Sequence, residues 1–356
     1  MARNRGMKAR ILLIALSVII SLAVALAYGG TAAFARMVQL PFWPLAAGLA
    51  MIVFGWHVNA ARLRLLVRGL GLRLRHWEAY PLVMASEFSF AATPGGAGGL
   101  ITYIYLLKRR GVPAAQATAL CTIDQLLDLV FFLTLLPLLA VLLVTGYAPV
   151  QLRHELALLA AVLIGGLGLV ALTVWKYRRV LLWAGRVLRA LRIARARRVR
   201  LARTFVHFRR GVRLILALPR RRLIAVYALC AAHWLLRYSV LFVLSVGAGA
   251  GITWSTLVLV QMLVLTAGQI SLLPGGSGAV ELTFGLLMSR WLDPATTAAL
   301  LLEWRFIIYY WYLIAGAPFF TAQILRRGRE APKQRRQTTA PAPLKIGKSP
   351  GDVGQR

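Results

Sequence analysis

Long apolar runs limit what this chain can become. Ile11 to Ala33 is the first of several stretches holding the roughly 20 apolar residues that a helix needs to cross a hydrocarbon layer about 30 Å thick. They recur along 356 residues of which 59% are hydrophobic and 15% charged, whereas soluble domains carry about a quarter charged residues. Polar groups too few to cover this apolar surface exclude an ordinary water-soluble fold. The sequence reads as an all-α polytopic membrane protein with six crossings, near 11–33, 40–62, 114–146, 155–175, 223–247 and 295–325. Arg3, Arg5, Lys8 and Arg10 before the first run resemble the start of a secretory leader. The run exceeds the apolar core of a leader, about 7–15 residues, and more crossings follow, so it is expected to be retained.

Two further apolar stretches are interrupted. Tyr80 to Leu107 contains Pro94-Gly95-Gly96-Ala97-Gly98-Gly99, and Trp254 to Ser289 contains Pro274-Gly275-Gly276-Ser277-Gly278. Proline lacks an N–H and glycine loses the most entropy on ordering, so both strings end helices. Each stretch is expected to be a re-entrant hairpin, with two short tilted spans as the alternative. In either case the irregular backbone must be buried in protein or line a wet cavity.

The interruptions match each other at an offset of 180, and Pro113-Ala114 matches Pro294-Ala295 at 181. The reading is two repeats, about 11–146 and 155–325, each with three crossings and one broken hairpin. Three is odd, so the second repeat is inverted relative to the first, the arrangement of alternating-access transporters with a site where the breaks meet. The alternative is chance recurrence of short Gly-rich strings.

Charge supports an orientation. The chain has 43 Lys and Arg but ten Asp and Glu. Residues 176–222 hold seventeen of the cations and no acid, interleaved with Trp183, Leu188, Leu191, Phe205 and Phe208. This segment is expected to be a cationic amphipathic helix on the anionic cytoplasmic leaflet, and not a nucleic-acid surface, because crossings flank it. With both termini cytoplasmic, Arg36, Arg153 and Arg290 are the external cations, and the positive-inside rule is satisfied. The loops near Val150 and Gly249 then lie outside. Residues 1–330 form the membrane domain, and 331–356 are expected to be a disordered cytoplasmic tail.

Glu87, Asp124, Asp128, Glu281, Glu303, Arg237 and Arg305 fall within apolar stretches. Charge at the centre of a membrane helix costs about 2.5–3.5 kcal/mol on insertion scales, so these residues are expected to face the interior and pair. Asp124 and Asp128 share a helix face at i, i+4. They are suited to hold a proton or a cation, or to answer Arg237 or Arg305. Glu281 belongs in the first turn after the second break, where the helix dipole favours it. Arg237 and Arg305 are candidate phosphate ligands through the planar guanidinium. A purely structural Glu281–Arg305 ion pair is the alternative. Gly95, Gly96, Gly98, Gly275, Gly276 and Gly278 complete the candidate substrate site through the breaks.

No cofactor or metal is expected. His57 and His233 are isolated, and Cys121 and Cys230 give neither a disulfide framework nor a zinc spacing. No P-loop or nucleophile motif is present, so an enzyme is not expected.

Pro274-Gly275-Gly276-x-Gly278-x-x-Glu281, followed by Ala298-Ala299-Leu300 and Arg305, resembles the lysylphosphatidylglycerol synthase transmembrane region, a flippase-like family. Pro94 to Gly99 and Asp124-Gln125-x-x-Asp128 resemble its first-half motifs, and the likeness covers about residues 10–325. It implies translocation of a lipid across the cytoplasmic membrane, with larger relatives adding an aminoacyl-transferase domain. No such domain is in this sequence, so a synthase is not expected. Relatives often have Glu-Arg where Asp124-Gln125 stands, and a charged pattern where Gly99 and Thr102 stand, so the substrate is expected to differ. The expected function is movement of a lipid with an anionic head group across the bacterial inner membrane. The alternative is a non-transporting membrane partner of a lipid-glycan or hopanoid biosynthesis enzyme. Partners implied are membrane lipids, and either a second copy or such an enzyme.

Overall fold

A computed structural model describes residues 2–144, 195–271 and 273–325, with isolated positions between 161 and 176. The expected crossing at 155–175 (those positions apart), most of the basic segment before 195, the loop near Val150 and the tail after 331 lie outside the described residues.

The described elements are helical. They are α1 (Ala2–Gly29), α2 (Ala32–Gln39), α3 (Phe42–Gly69), α4 (His76–Ala91), α5 (Ala97–Arg109), α6 (Ala114–Val144), α7 (Arg195–Leu216), α8 (Arg220–Gly247), α9 (Trp254–Ile270), α10 (Ala279–Met288), α11 (Pro294–Arg305) and α12 (Trp311–Leu325). A π-helical turn at Phe306–Tyr310 joins the last two. Four stretches are long and apolar enough to cross a membrane: α3, Ala114–Leu135 within α6, α8, and Pro294–Ile324. The expected first crossing is a bent pair instead of one straight helix. The chain turns by 93° between α1 and α2, at Gly30, whose φ of +56° interrupts the helix. Ile19, Phe54, Ile101, Ile224 and Leu286 project from the bundle, as expected of side chains facing lipid.

Both broken stretches form pairs of short helices. α4 and α5 have 16 and 13 residues, α9 and α10 have 17 and 10. At 1.5 Å per residue even the longest spans about 25 Å, less than a hydrocarbon core. The members of each pair pack on each other. At the tips, Pro94 and Pro274 meet in an isolated antiparallel β-bridge, so the two breaks touch at the prolines that cause them.

The element order recurs along the chain. α3 and α8 are each 28 residues long and begin after a proline, Pro41 and Pro219. Each is followed by a broken pair and then by a helix starting at Pro113-Ala114 or Pro294. α3 packs along α8, α4 along α12, and α1 and α2 on α11. One core gathers Trp56, Leu241, Phe284 and Trp304 from α3, α8, α10 and α11. The other gathers Leu63, Leu82, Leu107, Leu120 and Ile215 from α3 to α7. The described part of the basic segment, α7, packs on α6 with Gly211 and Ile215 buried and Arg203, Arg209, Arg210 and Arg213 exposed.

The second break requires glycine at one position in particular. Gly276 has φ +69°, and a Cβ there would stand 2.7 Å from the Gly268 Cα. Left-handed backbone costs other residues about 1–2 kcal/mol, and the collision with α9 adds to that. Gly276→Ala is therefore expected to lower the midpoint of thermal unfolding clearly, and a midpoint equal to wild type would refute this account of the break.

Candidate functional site

The paired breaks form one wall of a cavity of about 500 Å³. Its lining brings together Gly95 and Gly96 of the first break, Gly275 and Gly276 of the second, Asp124 and Asp128 of α6, Arg237 of α8 and Arg305 of α11. Of the residues expected at the site, Gly98, Gly278 and Glu281 do not line the cavity. Gly98 donates its N–H to Thr93 Oγ1 at 2.9 Å inside the first turn, and Gly278 and Glu281 are bonded to each other at the start of α10.

Glu281 occupies the expected place in the first turn of α10. Its Oε2 accepts the Gly278 N–H at 2.7 Å, which closes the helix N-terminus. Its Oε1 accepts from Arg305 Nε at 2.5 Å and from the Ser21 hydroxyl of α1. Arg305 also donates through Nη1 to Gly275 O at 2.9 Å and through Nη2 to Ser277 Oγ at 3.1 Å, and its guanidinium lies 4.8 Å from the Tyr309 ring centre. Glu281 is 0% and Arg305 2% exposed. Arg305 thus binds the carboxylate, the break and α1 in a single network.

The Asp124–Asp128 pair answers neither Arg237 nor Arg305. Its partner is Arg62, the last position of the expected 40–62 crossing, where a basic stretch running to Arg75 begins. α3 continues through that stretch to Gly69, and Arg62 is 2% exposed. Its Nη1 donates to Asp128 Oδ1 at 2.8 Å and its Nη2 stands 2.6 Å from Asp124 Oδ1. The two carboxylates offset the cost of burying the guanidinium, and Trp234 Nε1 donates to Asp128 at 2.8 Å.

Arg237 is differently placed. Nη1 donates to Tyr312 Oη at 2.9 Å, and the guanidinium lies 4.9 Å from the Tyr312 ring centre. Its buried Nε has no hydrogen-bond partner. Glu87 and His233, not among the expected site residues, also line the cavity. Asn59 Nδ2 joins them, donating to Glu87 Oε1 at 3.3 Å and lying 3.5 Å from His233 Nε2. An acid in the middle of an apolar run was the visible signal for Glu87; Asn59 and Arg62 gave none.

Among the described residues, no three His, Cys, Asp or Glu side chains come together as a metal-ligand set. Outside the crossings, Asp293 caps α11, accepting the Thr296 N–H at 3.0 Å, and that bond holds its carboxyl below the usual range.

Residues 11–316 match the family described as the lysylphosphatidylglycerol synthase TM region. The chain belongs to that family. It is also similar to a UPF0104 membrane protein of Archaeoglobus fulgidus, with 23% identity over 279 residues, which are 77% of this chain and 84% of the relative. Family membership and the apolar helices together make this a membrane protein.

Proposed function

We propose that this member of the lysylphosphatidylglycerol synthase TM-region family is a lipid transporter and not an enzyme. It moves a lipid with an anionic head group across the bacterial inner membrane. The carrying observation is the cavity at the paired breaks, where three arginines reach a polar interior among apolar helices. A head group can be solvated there while its tails stay in lipid, and the family is named for a synthase that makes a phospholipid. The site consists of Arg237, Arg305, Asp124 and Asp128, with the Gly95-Gly96 and Gly275-Gly276 backbones as walls and Gly98, Gly278 and Glu281 holding the walls in shape.

In this reading the halves are inverted repeats with cytoplasmic termini. The recurring element order and the meeting of Pro94 with Pro274 support it, and it requires a crossing within 155–175. Alternating access would then open the cavity to each leaflet in turn.

The test uses the purified protein in vesicles carrying a trace of fluorescent lipid, with an impermeant quencher reporting the accessible leaflet. Phosphatidylglycerol is expected to cross much faster with protein than without, and phosphatidylcholine only at the protein-free rate. Equal phosphatidylglycerol rates with and without protein would sink the proposal.

A further inference from the structure

The arginines in the cavity differ in what satisfies them. Arg62 stands against two carboxylates, and Arg305 is engaged by Glu281, Ser277 and Gly275 O. Arg62 and Arg237 each keep a buried Nε without an acceptor, but among the described residues no carboxylate lies within ion-pair distance of Arg237, so its charge is the one left without a contacting counter-ion. A buried unsatisfied donor is costly, more so on a cation. Beside an open cavity it is a place for an incoming acceptor, and a phosphate oxygen has the required charge and geometry.

Of the acids that line the cavity, Glu87 is the one with no ion pair among the described residues. It lines the same cavity, and its one described hydrogen bond is the 3.3 Å contact from Asn59. The charged and titratable groups around it are Arg237 and His233 from α8, Arg62 from α3, Asp124 and Asp128 from α6, Tyr103 from α5 and Tyr312 from α12. Of the three cavity arginines Arg237 is the one without a carboxylate in contact, so at a distance it offsets the Glu87 charge. An anion seated on Arg237 takes that compensation away and places a second negative charge in a cavity that already holds Asp124 and Asp128. Like charges in a low-dielectric site raise each other's proton affinity.

We propose that Arg237 is the seat of the head-group phosphate and that Glu87 accepts a proton when the phosphate arrives, so that anion and proton travel together. The proton comes from water on the loading side, converts the Glu87 carboxylate to the acid, and returns to water on the far side when the phosphate leaves. This rests on the transport reading and adds the ligand for the anion, the proton-carrying residue and the coupled ion.

The experiment titrates the purified full-length protein in a neutral detergent with dioctanoyl phosphatidylglycerol, by calorimetry in buffers of different ionisation enthalpy. The buffer dependence of the heat gives the protons exchanged per lipid bound. The expected result is uptake of about one proton per lipid by the wild type, since binding an anion shifts proton occupancy by linkage. Glu87→Gln is expected to bind with no uptake, and Glu303→Gln, at a buried acid outside the cavity lining, to bind with uptake retained. Arg237→Gln is expected to bind at least about tenfold more weakly, about 1.4 kcal/mol, with thermal unfolding of each variant confirming that it folds. Wild-type binding without uptake, uptake that survives Glu87→Gln, undiminished binding by Arg237→Gln, or no binding by the wild type would each overturn the proposal. Proton-linked binding in a protein that fails to move phosphatidylglycerol in vesicles would support this assignment and sink the transport reading alone.

Discussion

Arg305→Gln is expected to destabilise the protein by about 3–5 kcal/mol, because it leaves Glu281 charged and buried with no cation. The position is demanding on both sides. Glu281 is 0% exposed, and Arg305 also holds Gly275 O and Ser277 of the second break. Arg305→Lys retains the charge but cannot reach the carboxylate, the carbonyl and the hydroxyl in one plane, so it should recover only part of the loss. The double variant Glu281→Gln/Arg305→Gln removes both charges and should regain most of the stability of the single one. Thermal unfolding in detergent measures all three. An Arg305→Gln protein that melts with the wild type would show that the pair does not secure the break. Translocation by the double variant then separates two roles: stable and inactive places Arg305 in contact with substrate, while stable and active leaves it as a fastener.

A loss of similar size is expected for Arg62→Gln. That change leaves Asp124 and Asp128, four residues apart on α6, facing each other without their shared cation. Trp234 Nε1 still donates to Asp128, so the unsupported charge falls mainly on Asp124. Adding Asp124→Asn to Arg62→Gln should therefore restore more stability than adding a substitution at exposed Arg213. Double-mutant cycles read this coupling directly, with contacting charges departing from additivity by about 0.5–3 kcal/mol. Strict additivity between Arg62 and Asp124 would mean that the ion pair contributes nothing to folding.

These residues also show which parts of the molecule the sequence made legible. The two breaks, the short helices beside them and the place of Glu281 could be read because each is local: proline and glycine stop a helix within a few residues, and an acid three residues past the stop caps the next one. Arg62 could not be read, because α3 extends seven residues beyond its apolar stretch, and an arginine at the end of such a run looks like a cytoplasmic anchor. Only its partners, 62 and 66 residues further on, show that it is buried. The bend between α1 and α2 was hidden for a related reason. Hydropathy continues smoothly across Gly30, and the chain turns there so that α2 and α1 can both lie on α11. Asn59 carries no charge, and its value to the site comes from what stands opposite it in the folded chain.

The bridge between Pro94 and Pro274 has a mechanical consequence. The contact is one residue deep, because left-handed glycines follow each proline (Gly95 and Gly96, Gly275 and Gly276) and end the extended backbone there. The two breaks thus meet through residues that belong to no helix, so parting them would break no helical hydrogen bond. A crosslink between cysteines replacing Pro94 and Pro274, which stand opposite each other, would tie the two tips together and show whether transport needs them to part.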